Sequence, residues 1–339
     1  MNEVIIVGAG IGGLCCGAKL AKNGKRVLIL EKKPHVGGTS YVFKRKGYFF
    51  PMGPLSTSFP DRIKAFLREA GANTEIEFNR DHFQLLAESL DIVYSRPLRQ
   101  LGDELKSIFP GERAGIDIFT REMTKIITLT SDVDEWHPDF LAGPKKQRAL
   151  TSMSDAQKEK LKMIEKCSDA SAAEFLETYI SNQRLRNLLG SQGTSSPEMS
   201  MLNLAFMWNI MSQEGIWSPS CGIHGISDLL RDAFLAHGGT LKLASPVDQI
   251  LIEDELAVGI VTENGEEFKA DWIVSNVDPK KMLLELIAPG NVPGGYLDLV
   301  KSVPYTESEF CVYLGVDPRK VDLSKMSQSL FLQAKNRCQ

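Results

Sequence analysis

The feature that most constrains the fold of this chain is a glycine-rich turn placed directly after a short apolar run. Residues 4–7 read Val-Ile-Ile-Val, and residues 8–13 read Gly-Ala-Gly-Ile-Gly-Gly. The β-branched run predicts a strand that is buried on both faces. In the GxGxxG pattern, Gly8 permits a tight turn, Gly10 lets the backbone approach a pyrophosphate, and Gly13 lets a helix pack closely on the strand.

A helix and a second strand complete the pattern. The helix is predicted from about Gly12 to Asn23, and the N–H groups at its start, including those of Ile11 and Gly12, would face the phosphates. The strand is predicted over residues 26–30 and ends in Glu31, 18 residues after the last glycine of the motif. A carboxylate there accepts hydrogen bonds from the adenosine ribose and disfavours a 2′-phosphate. The segment therefore predicts a βαβ dinucleotide-binding unit.

The residues after this strand indicate which dinucleotide is bound. Residues 31–39 read Glu-Lys-Lys-Pro-His-Val-Gly-Gly-Thr. They resemble the E-K-x-x-x-x-G-G extension of FAD-dependent oxidoreductases of the glutathione-reductase and amine-oxidase type. A second glycine pair lets another backbone segment approach the longer FAD molecule. The sequence therefore predicts FAD, with contacts from Glu31, Lys32, Gly37, Gly38 and Thr39.

The next segment resembles a narrower family. Residues 47–54 read Gly-Tyr-Phe-Phe-Pro-Met-Gly-Pro, and they are similar to the G-[YF]-x-F-D-x-G-P segment of bacterial-type phytoene desaturases, carotenoid isomerases and retinol saturases. The acidic residue of that pattern is replaced here by Pro51. The resemblance implies that Gly53 and Pro54 lie at the cofactor.

Two downstream segments extend the resemblance. Residues 220–226 are similar to the family's P-x-G-G-[MI] segment, with Ile223 where the pair has its second glycine, and residues 270–279 are similar to A-D-x-V-V-S-N-x-x-P. Between them lies Val247, which the resemblance places beside the adenine.

The resemblance implies the α/β class, with a Rossmann-like FAD-binding domain of the glutathione-reductase type and a discontinuous α+β substrate domain. The FAD-binding domain is expected over residues 1–75 and 218–285. A mainly helical, substrate- or membrane-facing domain is expected over 76–217, and a second substrate segment over 286–339. Because family members continue into a C-terminal flavin-binding segment, we expect a truncated sequence rather than a natural loss.

Composition excludes some classes of partner. The net charge of −4 gives no attraction to nucleic acid, and six scattered cysteines predict reduced thiols in the cytoplasm. No run of residues is apolar enough to span a membrane.

Two segments leave peripheral membrane contact open. The Lys/Glu-rich helix at 156–166 is typical of a solvated face or of electrostatic docking. The apolar residues between Leu202 and Met211 are typical of a core or of lipid contact.

The chemistry implied by the resemblance is hydride transfer from a substrate carbon to flavin N5. The sequence identifies no catalytic residue and no metal-ligand cluster, and His224 is the one histidine to consider as an acid or base, against a plain loop histidine. Three functions stay open. They are an FAD-dependent desaturase or isomerase of a hydrophobic polyene or isoprenoid lipid, an amine-oxidase-like enzyme for a polar substrate, and a non-catalytic nucleotide-binding remnant. The oligomeric state is not predicted.

Overall fold

A computed structural model describes residues 2–87, 90–93, 95–133, 147, 149, 151–191, 198–305, 312–314, 316–317, 319–322 and 329–332. The chain divides into two compact units. The first comprises Met1–Asn79 and Trp217–Val316, and the second comprises Arg80–Ile216 and Asp317–Gln339.

The strands are β1 Asn2–Val7, β2 Val27–Leu30, β3 Val42–Arg45, β4 Tyr48–Pro51, β5 Phe78–Arg80, β6 Phe83–Ala87, β7 Leu90–Val93, β8 Trp217–Pro219, β9 Thr240–Lys242, β10 Val247–Glu253, β11 Leu256–Thr262, β12 Glu267–Ser275 and β13 Ser329–Leu332.

The α-helices are α1 Ile11–Lys22, α2 Pro60–Ala70, α3 Leu98–Ile108, α4 Arg113–Thr130, α5 Asp155–Asp169, α6 Ala172–Tyr179, α7 Gln183–Ser191, α8 Met201–Trp208, α9 Gly222–Ala236, α10 Pro279–Lys281 and α11 Gly294–Ser302. The segments Gly38–Ser40 and Pro110–Glu112 are 3₁₀ turns, and Asn209–Glu214 and Met282–Leu286 are π-helical.

The first unit is built on a six-stranded sheet with the strand order β10-β11-β12-β1-β2-β9. Strands β12, β1, β2 and β9 are parallel, and Ile5 lies in register with Leu28 on one side and Ile273 on the other. The first residues of strand β12 pair antiparallel with β11, and its later residues pair parallel with β1. The predicted α/β class with a Rossmann-like nucleotide-binding unit is confirmed.

Strand β1 is buried on both faces, as its β-branched composition predicts. Val4 and Ile6 pack with Leu14 of α1 in one apolar cluster, whereas Ile5 and Val7 pack in the opposite cluster with residues of the β10–β12 meander. Burying an isoleucine side chain stabilises a fold by about 1.5–3 kcal/mol. The strand that precedes the glycine turn is therefore held from both sides.

Residues 286–305 lie in the first unit, although the sequence suggested a second substrate segment beginning at 286. The reason is apolar packing: Leu286 is buried in the same cluster as Ile250, and Ile287 forms a β-bridge with Ile250. The divisions between the two units fall after Asn79 and before Trp217.

The second unit is mainly helical, and its described part also contains a three-stranded sheet in the order β13-β6-β7. Its core centres on Trp208, whose indole N–H donates to the carbonyl of Leu189 at 2.8 Å and whose ring packs edge-on against Phe119. The apolar residues from Leu202 to Met211 divide between two environments. Trp208 and Met211 are buried in the core, whereas Phe206 is 55% exposed.

Helix α5 confirms the predicted Lys/Glu-rich helix. It begins at a capping box, in which the Ser154 hydroxyl accepts from the Gln157 backbone N–H and the Gln157 side chain accepts from the Ser154 N–H. No residue of α5 is fully buried, so its charged face is solvated.

Candidate functional site

A cavity of about 630 Å³ opens in the first unit at the carboxyl ends of β1 and β2. Its lining combines residues from every segment that the sequence assigned to cofactor binding. These lining residues are Gly8, Gly10, Ile11, Gly12, Glu31, Lys32, Gly37, Gly38, Thr39, Pro54 and Val247. The edge of a parallel sheet beyond the strand ends is where nucleotides bind in this class of fold.

The first glycine turn has the geometry that its three positions predict. Gly8 adopts φ +101°, a conformation that favours glycine, and its N–H donates to the carbonyl of Leu30 at 2.8 Å. A Cβ atom on Gly13 would overlap the carbonyl oxygen of Gly8. Gly13 is outside the cavity lining, so its predicted part in cofactor binding is limited to close packing of α1 on the turn.

Glu31 anchors this turn directly. Its side chain is 7% exposed, one carboxylate oxygen accepts from the Ala9 backbone N–H at 2.8 Å, and the other accepts from the Lys33 N–H at 2.9 Å. Each oxygen keeps a further lone pair, so the ribose contact stays a prediction. The sequence pattern did not reveal the bond to Ala9.

The second glycine segment lies beside the first. The Gly37 N–H donates to the carbonyl of Ala9 at 2.8 Å, and Gly10 and Gly37 form a parallel β-bridge. Gly37 and Gly38 both adopt positive φ, and a Cβ on Gly38 would stand 3.3 Å from the Gly10 Cα. Two side-chain-free segments therefore meet at one wall of the cavity, and this cradle fits the pyrophosphate of a dinucleotide.

The segment that carries Gly53 and Pro54 lies against the second glycine segment. A Cβ on Gly53 would stand 2.5 Å from the carbonyl oxygen of Thr39, so glycine permits this close approach. Pro54 lines the cavity, whereas Gly53 does not. Pro51, at the position of the family's acidic residue, accepts a hydrogen bond from the Tyr313 hydroxyl through its carbonyl oxygen.

Asn276 and Lys281 are among the lining residues that the sequence reasoning missed. Asn276 follows β12, its N–H donates to the carbonyl of Val7 at 2.9 Å, and its side-chain amide lies against Gly10 and Gly12. Lys281 adds a cation to the cavity wall, 3.7 Å from the carboxylate of Glu285. Asn276 could have been found, because it lies within residues 270–279, which resemble a conserved-pattern segment of the family.

His224 lies behind the second glycine segment. It belongs to the first turn of α9 and not to a loop, and it is not among the residues that line the cavity. Its Nδ1 atom is buried against Gly37 without a hydrogen-bond partner among the described residues, and its Nε2 atom is 3.7 Å from Asp228. This position suits support of the turn better than proton transfer to a bound molecule.

The thiols near the site are suited to packing. Burial raises the pKa of Cys15 and of Cys16 on α1, and burial also raises the pKa of Cys221 before α9. Raised values keep these groups as thiols at neutral pH, which disfavours nucleophilic or redox roles. Within the described residues, no group of three His, Cys, Asp or Glu side chains is arranged to hold a metal ion.

Comparison with known proteins places the chain in a family. The fold and the cavity define a nucleotide-binding α/β protein. A family model described as flavin containing amine oxidoreductase matches residues 11–335, and the chain belongs to this family. The predicted class, an FAD-dependent flavoprotein of the amine-oxidase-like type, is confirmed.

Two curated relatives match most of this chain. The chain is 25% identical over 335 residues to prolycopene isomerase 1 of an Oncidium hybrid cultivar, covering 93% of this chain and 54% of the relative. It is 26% identical over 332 residues to a 4,4'-diapophytoene desaturase of Staphylococcus haemolyticus, covering 93% and 63%. The chain thus spans about half to two thirds of the length of these relatives.

Solved structures share the fold. An oxidoreductase from Methanosarcina mazei aligns with a TM-score of 0.59 at 19% identity, over 88% of this chain and 65% of that structure. Putrescine oxidase bound to putrescine aligns with a TM-score of 0.57 at 15% identity, over 88% and 63%. Within the described ranges, none of the helices combines the length and apolar composition needed to span a bilayer.

Proposed function

We propose that this chain is an FAD-dependent oxidoreductase that desaturates or isomerises a polyene or isoprenoid lipid. The observation that carries the proposal is the meeting of the two glycine segments, residues 8–13 and 37–38, at the wall of one cavity. Both named curated relatives act on polyenes according to their names, and this supports a hydrophobic substrate.

The lining residues divide along the length of the cofactor. Glu31 and Val247 would hold the adenosine end, and the backbone N–H groups near Gly10, Gly12 and Gly38 would hold the pyrophosphate. FAD, when bound, supplies the redox chemistry at its ring. The chain contributes binding, orientation and exclusion of water on this side of the cofactor.

The second unit is proposed to belong to the substrate domain. Support comes from its position as an insertion between the two parts of the nucleotide-binding unit. We also propose peripheral membrane contact, since a polyene substrate is insoluble in water. The solvated cationic residues of α5 and the exposed Phe206 support this contact.

Absorbance of the purified protein tests the cofactor proposal. After incubation with FAD and gel filtration, we expect a yellow protein with a flavin spectrum and about one FAD per chain. A colourless protein with no change of FAD fluorescence on titration would favour the non-catalytic remnant. Substitution of Gly10→Ala, which places a methyl group in the cavity wall, should reduce the bound FAD.

Substrate class is tested separately on the loaded protein. Polyene precursors in liposomes should yield products with new double bonds or changed geometry, resolved by chromatography. Amines are the contrasting substrates: peroxide release with amines and no polyene product would replace the proposed function with an amine oxidase.

A further inference from the structure

The second glycine segment is tied to a helix far away in the sequence. Ser40 ends the 3₁₀ turn that contains Gly38, and it lies 2.8 Å, oxygen to oxygen, from Ser227 of α9. The exposed fractions of the two residues are 4% and 0%. The Ser40 hydroxyl also lies 2.7 Å from the carbonyl oxygen of Gly37 and donates to it.

The direction of the second bond follows from the number of protons. A serine hydroxyl has one proton to donate and two lone pairs to accept with. Since the Ser40 proton is used on Gly37, Ser227 donates to the Ser40 oxygen. The result is a buried chain of hydrogen bonds from α9 through Ser40 to the backbone of the turn.

His224 supports the same turn from the same face of α9. It precedes Ser227 by three residues, so both side chains lie on one side of the helix. A Cβ on Gly37 would stand 2.9 Å from the His224 Nδ1 atom, so the ring fills the space behind Gly37. On its other side the ring faces Asp228, which Arg231 engages at 2.6 Å, and Tyr41 contacts it edge-on.

We propose that Ser227 and His224 of α9 are positioning residues that hold the Gly37–Gly38 turn in the conformation that receives the cofactor pyrophosphate. This inference rests on the proposed binding of FAD. Neither residue lines the cavity, so both act through the turn. The Gly37 N–H already donates to Ala9, and α9 therefore also keeps the two glycine segments in register.

A double-mutant cycle on the serine pair tests the proposal. Ser227→Ala and Ser40→Ala should each raise the Kd for FAD by about three- to tenfold, measured by quenching of flavin fluorescence. Because the two hydroxyls form one chain, the double variant should be no weaker than Ser40→Ala alone. Adenosine affinity should not change, since the proposed contacts of the adenosine end are Glu31 and Val247.

Ser212→Ala is the matched control. Ser212 is a buried helical serine of the second unit, 1% exposed, whose hydroxyl donates to the Trp208 carbonyl. Its replacement should lower thermal stability without changing the Kd for FAD. An equal change of FAD and adenosine affinity in Ser227→Ala, or effects of the two serines that simply add, would overturn the proposal.

Hydrogen exchange separates this inference from the proposed function. In protein without cofactor, Ser227→Ala and His224→Ala should speed amide exchange in residues 37–41 and leave β1 unchanged. Wild-type protein that binds no FAD would defeat the proposed function, and unchanged exchange in the variants would defeat the role of α9. If wild-type protein binds FAD, and the variants keep the wild-type FAD affinity and amide exchange, only the role of α9 is defeated and the proposed function stands.

Discussion

The two glycine segments of the cavity are held in place by different means. The turn at Gly8–Gly13 is anchored by Glu31, which ends the next strand of the same βαβ unit and accepts from the Ala9 N–H. The turn at Gly37–Gly38 is anchored by Ser227, which lies 187 residues after its partner Ser40. One segment is stabilised by its own motif, and the other depends on the return of the chain to the first unit.

The largest expected effect comes from breaking the first segment at Gly13. A Cβ in Gly13→Ala would overlap the Gly8 carbonyl, which belongs to backbone and cannot rotate away. We expect a loss of about 3 kcal/mol of unfolding free energy, although alanine favours a helix by about 1 kcal/mol. Urea denaturation of the protein without cofactor measures it.

Gly111→Ala provides the control for this substitution. No atom of the described residues lies within 4 Å of a Cβ at Gly111, and its φ is not positive. Its unfolding midpoint should match that of wild type. A Gly13→Ala protein of equal stability would show that α1 can move away from the turn.

The next effect in size tests the anchor of the first segment. Glu31→Gln keeps the shape of the side chain but removes its charge, and one of its two acceptor atoms becomes a donor facing a backbone N–H. Hydrogen bonds to charged groups contribute about 1.5–3 kcal/mol, and we expect a loss of that size without any cofactor present.

Glu263→Gln is the matched change at an exposed carboxylate that lines the same cavity, and it should leave stability unchanged. If Glu31→Gln weakens FAD binding but leaves the protein without cofactor at wild-type stability, Glu31 serves the ribose and not the turn.

The contrast between the segments also explains what the sequence could predict. Gly8, Gly13 and Glu31 are dictated by local backbone geometry within one βαβ unit, so spacing alone is informative. The bonds of Ser40 and the packing of His224 depend on tertiary contacts with α9, and isolated serines and histidines carry no spacing signal. Asn276 lies between these cases. The resemblance singled out residues 270–279, but the spacing could not show that this segment pairs with β1.

A smaller effect on FAD binding is expected from Asn276, which follows a strand of the sheet and belongs to neither glycine segment. Asn276→Ala removes an amide that lies against Gly10 and Gly12 at the cavity wall. The Kd for FAD should rise about three- to tenfold, the usual cost of one hydrogen bond. Titration by flavin fluorescence measures it, and Asn73→Ala, at an exposed residue outside the cavity lining, is the control. An unchanged Kd would show that the backbone of the two segments binds the pyrophosphate without this side chain.

The smallest effect is expected at an exposed carboxylate beside the first segment's helix. Glu69 of α2 pairs with Lys19 of α1 at 2.6 Å, and this hydrogen bond lowers the pKa of Glu69 below its ordinary value of 4.5. A lowered pKa in the folded state stabilises the protein at pH values above the unfolded-state pKa, and this contribution is lost as the pH falls through the folded-state pKa.

Glu69→Gln makes the same chemical change as Glu31→Gln, but at a side chain exposed to solvent. The difference from wild type in the urea midpoint should therefore be small at pH 7, shrink in 1 M salt, and vanish below the folded pKa. A Glu69→Gln effect as large as that of Glu31→Gln would mean that docking of α1 on α2, and not the buried carboxylate, holds the first glycine segment.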